Sequence, residues 1–190
     1  VVEWPELSID EIVLLLEDGA QHLVEVPDVG DGGRALSHTH LEHALQTAAV
    51  LRSWVPGDDE LVVAGLVHDL GQLLPGAGDA RHAEAGAAAV RGALGERVAE
   101  LVRLHVPAKR YLVSAEAGYG SDLAPDSVAS LALQGGPMSA EERSAFETEI
   151  WAADALTLRR ADESGKVEGL KVEELATWIP VLREVHAHAC

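Results

Sequence analysis

Apolar residues recur at helical spacing along this chain, with glycine and proline marking the breaks, and this limits the fold more than any single motif does. Ser8-Ile9-Asp10-Glu11 reads as a capping box that opens a first helix to about Glu17, with Gly19 as its stop. Pro27 to Ser37, with Gly30, Gly32 and Gly33, reads as a loop. A second helix carries Leu41, Leu45, Ala48 and Leu51 and is broken by Pro56-Gly57. A third runs from about Asp59 to Leu74, and a fourth begins near Arg81-His82 after a loop over Pro75 to Asp79. Glu96 to His105 forms the next. Pro107 pushes Val106 out of the α region and suits the first position of a new helix, Pro107 to about Val113, which places Lys109 in a first turn that favours anions. After a loop at Gly118 to Asp122 come a helix over Ala124 to Leu133, the breaker Gly135-Gly136-Pro137, a capping box at Ser139 opening a long helix to about Lys166, and a last helix from Val172 to Val185. No strand pair stands out, so the expected fold is all-α.

Composition agrees with that class. The 190 residues are 47% hydrophobic, enough for one domain with a real core spanning the whole chain. Aromatics are only 4%, so Leu, Val and Ala must fill that core, which suits close-packed helices. The longest apolar run, Leu61 to Val67, is far too short to cross a bilayer. No secretory leader is visible, and Cys190 has no internal disulfide partner, so a reducing cytoplasm is the expected compartment. With 32 acidic against 14 basic residues the net charge is −18, which disfavours nucleic acid and anionic membranes as partners. A small anionic substrate needs local cations to overcome that field, and bound metals or a few placed Lys and Arg supply them. Nothing in the composition separates a monomer from a homodimer.

Against the helical background stand His43, the adjacent pair His68-Asp69, His82, His105 and, on a late helix, Asp162. Imidazoles with carboxylates suit first-row metal ions with open coordination positions. A single His on a helix is more often a core or surface residue than a ligand, and that reading stands for His22, His186 and His188. The His68-Asp69 dipeptide alone is weak evidence; the order of the whole set is stronger. From spacing, Asp154 competes with Asp162 as the last ligand.

That ordered set resembles the HD-domain superfamily of metal-dependent hydrolases and oxygenases. His105-Val106-Pro107-Ala108-Lys109-Arg110-Tyr111-Leu112, Leu133-Gln134-Gly135-Gly136-Pro137-Met138, Glu142 and Phe146-Glu147 narrow the resemblance to the PhnZ/TmpB family, HD-domain mixed-valent diiron oxygenases that cleave carbon–phosphorus bonds. The similarity covers roughly Leu41 to Lys166. It implies an HD-domain helical bundle with His43, His68 and Asp162 on one iron, His82 and His105 on the other, and Asp69 bridging them as the catalytic carboxylate. It selects Asp162 over Asp154 and implies an Fe(II)/Fe(III) pair with O2 as co-substrate. Lys109, Ser127 and Arg159 match its phosphonate-binding positions. Spacing agrees: Lys109 lies four residues after His105 and Arg159 three before Asp162, so a cation sits beside the metal ligands twice.

Two departures bear on specificity. Gln72 stands where one member of the family has a His that contacts the phosphonate; it can donate a hydrogen bond but carries no charge. Near Gly33 and Leu36 the Tyr and Glu that gate the site of that same member are missing, and the same stretch offers Asp28, Asp31, Arg34, His38 and His40 instead. Gln72 and His40 therefore join the candidate substrate contacts. The resemblance implies conversion of a 1-hydroxyphosphonate and O2 to phosphate and a carboxylic acid, by removal of hydrogen from the carbon bearing phosphorus followed by oxygenation there. An HD phosphohydrolase acting on a small phosphate ester is the alternative reading, and a non-catalytic metal-binding domain is a third.

Overall fold

The computed structural model describes residues 4–26 and 34–189. Among them are eight α-helices and one two-stranded sheet. The helices are α1 (Ile9–Asp18), α2 (His40–Trp54), α3 (Asp59–Val67), α4 (Gly78–Ala115), α5 (Pro125–Leu133), α6 (Ala140–Phe146), α7 (Ala152–Ser164) and α8 (Leu175–Ala189). Capping boxes start three of them: Ser8 with Glu11, Thr39 with Glu42, and Ser139 with Glu142. α3 is the centre of the bundle. Leu61 to Val67 are all buried, so the helix is apolar on every side and must be surrounded. Residues of α2, α4, α7 and α8 close around it, with Trp178 and Leu158 fully buried among them.

Four sequence expectations are corrected. The chain does contain a strand pair: β1 (Leu23–Val26) runs antiparallel to β2 (Arg34–Thr39), with Leu23 opposite Thr39, Val26 opposite Arg34 and an irregularity between Leu23 and Glu25. The alternation of β1 is only four residues long, and β2 is largely polar, so neither announces itself. The expected loop is thus partly strand; Asp28, Asp31 and the three loop glycines lie outside the described residues.

Second, α3 stops at Val67, before His68-Asp69. His68 Nδ1 donates to the Gly65 carbonyl at 2.8 Å, Asp69 turns out of the helix at φ −98° and ψ 6°, and Leu70–Leu73 continue as a 3₁₀ turn. Third, Pro107 does not end a helix. α4 runs on through it and bends instead at Gly95, whose φ of 83° and ψ of 173° no β-carbon favours. Burial of Leu104, His105, Ala108 and Leu112 on both sides of Pro107 offsets the ~3 kcal/mol that an internal proline costs. Lys109 is accordingly in mid-helix, and its attraction for anions comes from its own ammonium group. Fourth, the long helix expected from Ser139 to Lys166 is two, α6 and α7, separated by turns over Glu147–Trp151. Thr148 Oγ1 bonds back to the Ala145 carbonyl there, a local competitor to helix continuation.

Candidate metal centre

The described fold brings all six sequence-identified donors to one place. His43 comes from the first turn of α2, His68 and Asp69 from the turn after α3, His82 and His105 from opposite sides of the Gly95 bend in α4, and Asp162 from α7. Each imidazole is buried and fixed by a backbone carbonyl. Nδ1 of His68, His82 and His105 meets the carbonyl three residues earlier, at 2.8, 2.9 and 2.6 Å. His43 Nδ1 meets the Gly165 carbonyl at 3.2 Å. A carbonyl oxygen only accepts, so each Nδ1 carries the proton and each Nε2 presents a lone pair.

Those lone pairs face each other in two pairs. His43 Nε2 is 3.3 Å from His68 Nε2, and His82 Nε2 is 3.0 Å from His105 Nε2. With the tautomers fixed by the carbonyls, neither pair can be a hydrogen bond while its imidazoles are neutral. Two lone pairs at this distance suit a shared cation, and an imidazole whose other nitrogen is held by a carbonyl is how proteins present metal ligands. Asp69 sits between the pairs. Its Oδ1 is 3.3 Å from His82 Nε2 and 3.6 Å from His105 Nε2, while Oδ2 is 3.6 Å from His68 Nε2 and 3.8 Å from His43 Nε2. His43, His68 and Asp69 thus form one potential metal group and Asp69, His82 and His105 a second. Asp162 Oδ1 adds a donor 3.2 Å from His43 Nε2. The donor set fits two ions sharing one carboxylate. Asp154 is elsewhere, bonded to Arg97 at 2.9 Å.

Electrostatics favour the unprotonated form at His68, His105 and both carboxylates, whereas at His43 burial is outweighed by Asp162 beside it, which raises its pKa. Burial pushes the His68 and His105 imidazoles down, the latter well below the ordinary range. Burial opposes charge on both carboxylates, yet His68, His82 and His105 hold Asp69 well below the usual carboxylate range, and Arg159 and Lys166 do the same for Asp162.

The centre opens into a cavity of about 420 Å³. Lys109, Arg159 and Lys166 all line it, and all three are at least nine-tenths buried by accessible area. Lys166 was missed in the sequence, although its position four residues after Asp162 is the kind of spacing that agreed with the match at Arg159. Its Nζ bonds Asp126 Oδ2 at 2.5 Å and Ser127 Oγ at 2.8 Å and lies 3.8 Å from Asp162 Oδ1. Gln46, buried in α2, holds the segment just beyond Lys166 by bonds to Val167 N, Val167 O and Leu170 O. Ser130, also missed, accepts from Lys109 Nζ at 2.7 Å. Burial, reinforced by Arg159 and Lys166, pulls Lys109 down from 10.5 to about 7.

α5 runs along this cavity. Ser127 lies at the Arg159 and Lys166 end, Ser130 at Lys109, and Gln134, at the helix's C-cap, reaches the Asp79 carbonyl at 3.1 Å. From Ser127 to Gln134 is about 10 Å of helix rise, so the cavity has a cationic end and an amide-and-carboxylate end. Gln72 belongs to the second, its Nε2 donating to Asp79 Oδ1 at 3.3 Å. His40 lines the cavity beside the hairpin residues His22 to Glu25, its pKa lowered by burial and its Nδ1 buried without a partner. His38 is buried, 6.0 Å from the His43 ring, and does not line the cavity.

A helical bundle that gathers His, His-Asp, His, His and Asp from α2, the turn after α3, α4 and α7 around one point defines a class. The HD-domain family model matches residues 40–156, and the chain belongs to that family. Its relatives place it more narrowly. It is 37% identical over 186 aligned residues, 91% of this chain and 92% of the relative, to hydroxymethylphosphonate dioxygenase of Gimesia maris. It is 33% identical over 156 residues, 77% of this chain and 79% of the relative, to [1-hydroxy-2-(trimethylamino)ethyl]phosphonate dioxygenase (glycine-betaine-forming) of Leisingera caerulea. Within the HD-domain family the chain therefore belongs with the PhnZ-like oxygenases. No helix among the described residues is long and apolar enough to cross a membrane.

Proposed function

We propose that this chain, as one HD domain, is an O2-dependent dinuclear iron oxygenase that cleaves the C–P bond of a 1-hydroxyphosphonate. The reaction R–CH(OH)–PO₃H₂ + O2 → R–COOH + H₃PO₄ balances in atoms, with the carbon oxidised and O2 reduced. One observation carries the reading: two facing pairs of imidazole lone pairs share Asp69 and open into a cavity that holds three buried cations. The relatives named as phosphonate dioxygenases support it. His43, His68 and Asp162 would hold one iron, His82 and His105 the other, with Asp69 bridging. A mixed-valent Fe(II)/Fe(III) pair bound there would supply Lewis acidity and pass to O2 the electrons that the substrate gives up.

The chain's own residues bind and orient. Lys109, Arg159 and Lys166 meet the phosphonate charge, and their burial strengthens that attraction by excluding water. Holding the phosphonate at the α5 end fixes the direction in which its carbon presents hydrogen to the metal pair. Gln72, His40, Asp79 and Gln134 face whatever the carbon carries besides hydroxyl and phosphorus. The test is the fate of isotopically labelled O2 in an iron-loaded preparation given hydroxymethylphosphonate. Label in the released acid or phosphate is expected. Unlabelled phosphate, released equally well without oxygen from a phosphate monoester, would mean an HD phosphohydrolase instead.

A further inference from the structure

Glu163 stands next to Asp162 but does not line the cavity. It is the point at which α7 and α5 are tied together. One of its carboxylate oxygens accepts from Ala124 N–H at the start of α5, at 2.5 Å. The other accepts from Ser127 Oγ at 3.0 Å and from Arg159 Nη2. An anion at this place is favoured by the N-terminal end of α5 and by the guanidinium together.

The hydrogen-bond inventory shows what this contact does. Arg159 is 1% exposed and has five N–H donors. Glu163 and Ser127 take Nη2, and Asp162 takes one proton of Nη1. The second Nη1 proton and Nε, which is buried without a partner, remain. The Ser127 hydroxyl is committed on every side: it accepts from Arg159 and Lys166 and gives its proton to Glu163. Ser127 thus fixes two cations relative to each other, and Glu163 fixes Ser127. Without Glu163 the guanidinium has Asp162 as its only carboxylate among these bonds, and it would turn toward a group needed as a metal ligand.

We infer that Glu163 is a positioning residue of the anion subsite: it holds Arg159 and Ser127 so that the guanidinium stays on the cavity wall toward the substrate phosphonate while Asp162 Oδ1 stays with the metal. The inference rests on the phosphonate reading above. Glu163→Leu removes the tie and Glu163→Gln keeps its shape and one acceptor, so the glutamine variant serves if the leucine one does not fold. Hydroxymethylphosphonate affinity is measured by calorimetry on the iron-loaded protein, with metal content and steady-state kinetics alongside. In Glu163→Leu the dissociation constant and KM should rise about tenfold or more while kcat falls less and both metals stay bound; Glu163→Gln should lie between that variant and the wild type. A folded, metal-replete Glu163→Leu variant with unchanged affinity overturns the inference and leaves the phosphonate reading standing. Tighter binding by Glu163→Gln also overturns it, because Glu163 would then be a competitor for Arg159. A wild type that binds no phosphonate removes both.

Discussion

Replacing Lys109 with methionine should stabilise the metal-free protein while abolishing tight phosphonate binding. Lys109 is 5% exposed, and burial, with Arg159 and Lys166 nearby, takes its pKa from 10.5 to about 7. At ~1.36 kcal/mol per pKa unit, keeping this ammonium charged in the fold costs on the order of 5 kcal/mol. Because the folded pKa lies below the unfolded one, the unfolded chain binds more protons between about pH 7 and pH 10.5. The penalty is therefore full below about pH 7 and fades as pH rises toward 10.5. Methionine fills similar volume without charge but leaves Ser130 without the donor now 2.7 Å away, a loss of about 1–2 kcal/mol. The net gain should be roughly 3–4 kcal/mol near neutral pH and should shrink steadily in alkaline buffer. Urea unfolding of both proteins at about pH 7, 8.5 and 9.5 measures it. A variant no more stable at neutral pH, or a difference that does not change with pH, would refute the reasoning. The same variant should keep its metals; loss of metal would mean that Lys109 supports the ligands and not the substrate.

Three further outcomes follow from the geometry. Asp69→Asn removes the shared carboxylate charge and should lower occupancy of both metal positions, read by metal analysis, whereas Asp162→Asn should mainly deplete the His43–His68 position. Gly165→Ala places a β-carbon 2.7 Å from Thr47 Oγ1 and 2.9 Å from its backbone nitrogen, which displaces the carbonyl that orients His43; a loss of about 1–3 kcal/mol in thermal or urea unfolding, with weaker retention of one metal, is expected. A cavity of about 420 Å³ exceeds what hydroxymethylphosphonate needs, so 1-hydroxyphosphonates with a short polar substituent should be turned over with KM no worse than the parent compound; a sharp rise in KM with any substituent would show that the amide-and-carboxylate end is closed to substrate.

The elements that local chemistry dictates were legible in the sequence. The capping boxes at Ser8 and Ser139 and the breaks at Pro56-Gly57 and Gly135-Gly136 mark ends that the structure keeps. The clustering of these His and Asp residues was also legible, because their order along the chain carries the signal even though His43 and Asp162 are far apart. What could not be read depends on contacts between distant segments. Pro107 remains helical because core packing on both sides outweighs its local cost. The hairpin is too short and too polar to show a strand period. Ser130 and Glu163 became visible only when α5, α4 and α7 were in place, since Ser130 is 21 residues from Lys109 and Glu163 is 36 from Ser127. Gln72 carries no charge at a position the resemblance assigns to a cationic contact, and its amide proves to face Asp79.

The most direct measurement is O2 uptake against phosphate release by the iron-loaded protein acting on hydroxymethylphosphonate. A dinuclear centre bridged by Asp69 and performing oxidative C–P cleavage should consume one O2 for each phosphate and acid formed, and stop when oxygen is exhausted. Phosphate that continues to appear without O2 uptake would contradict it.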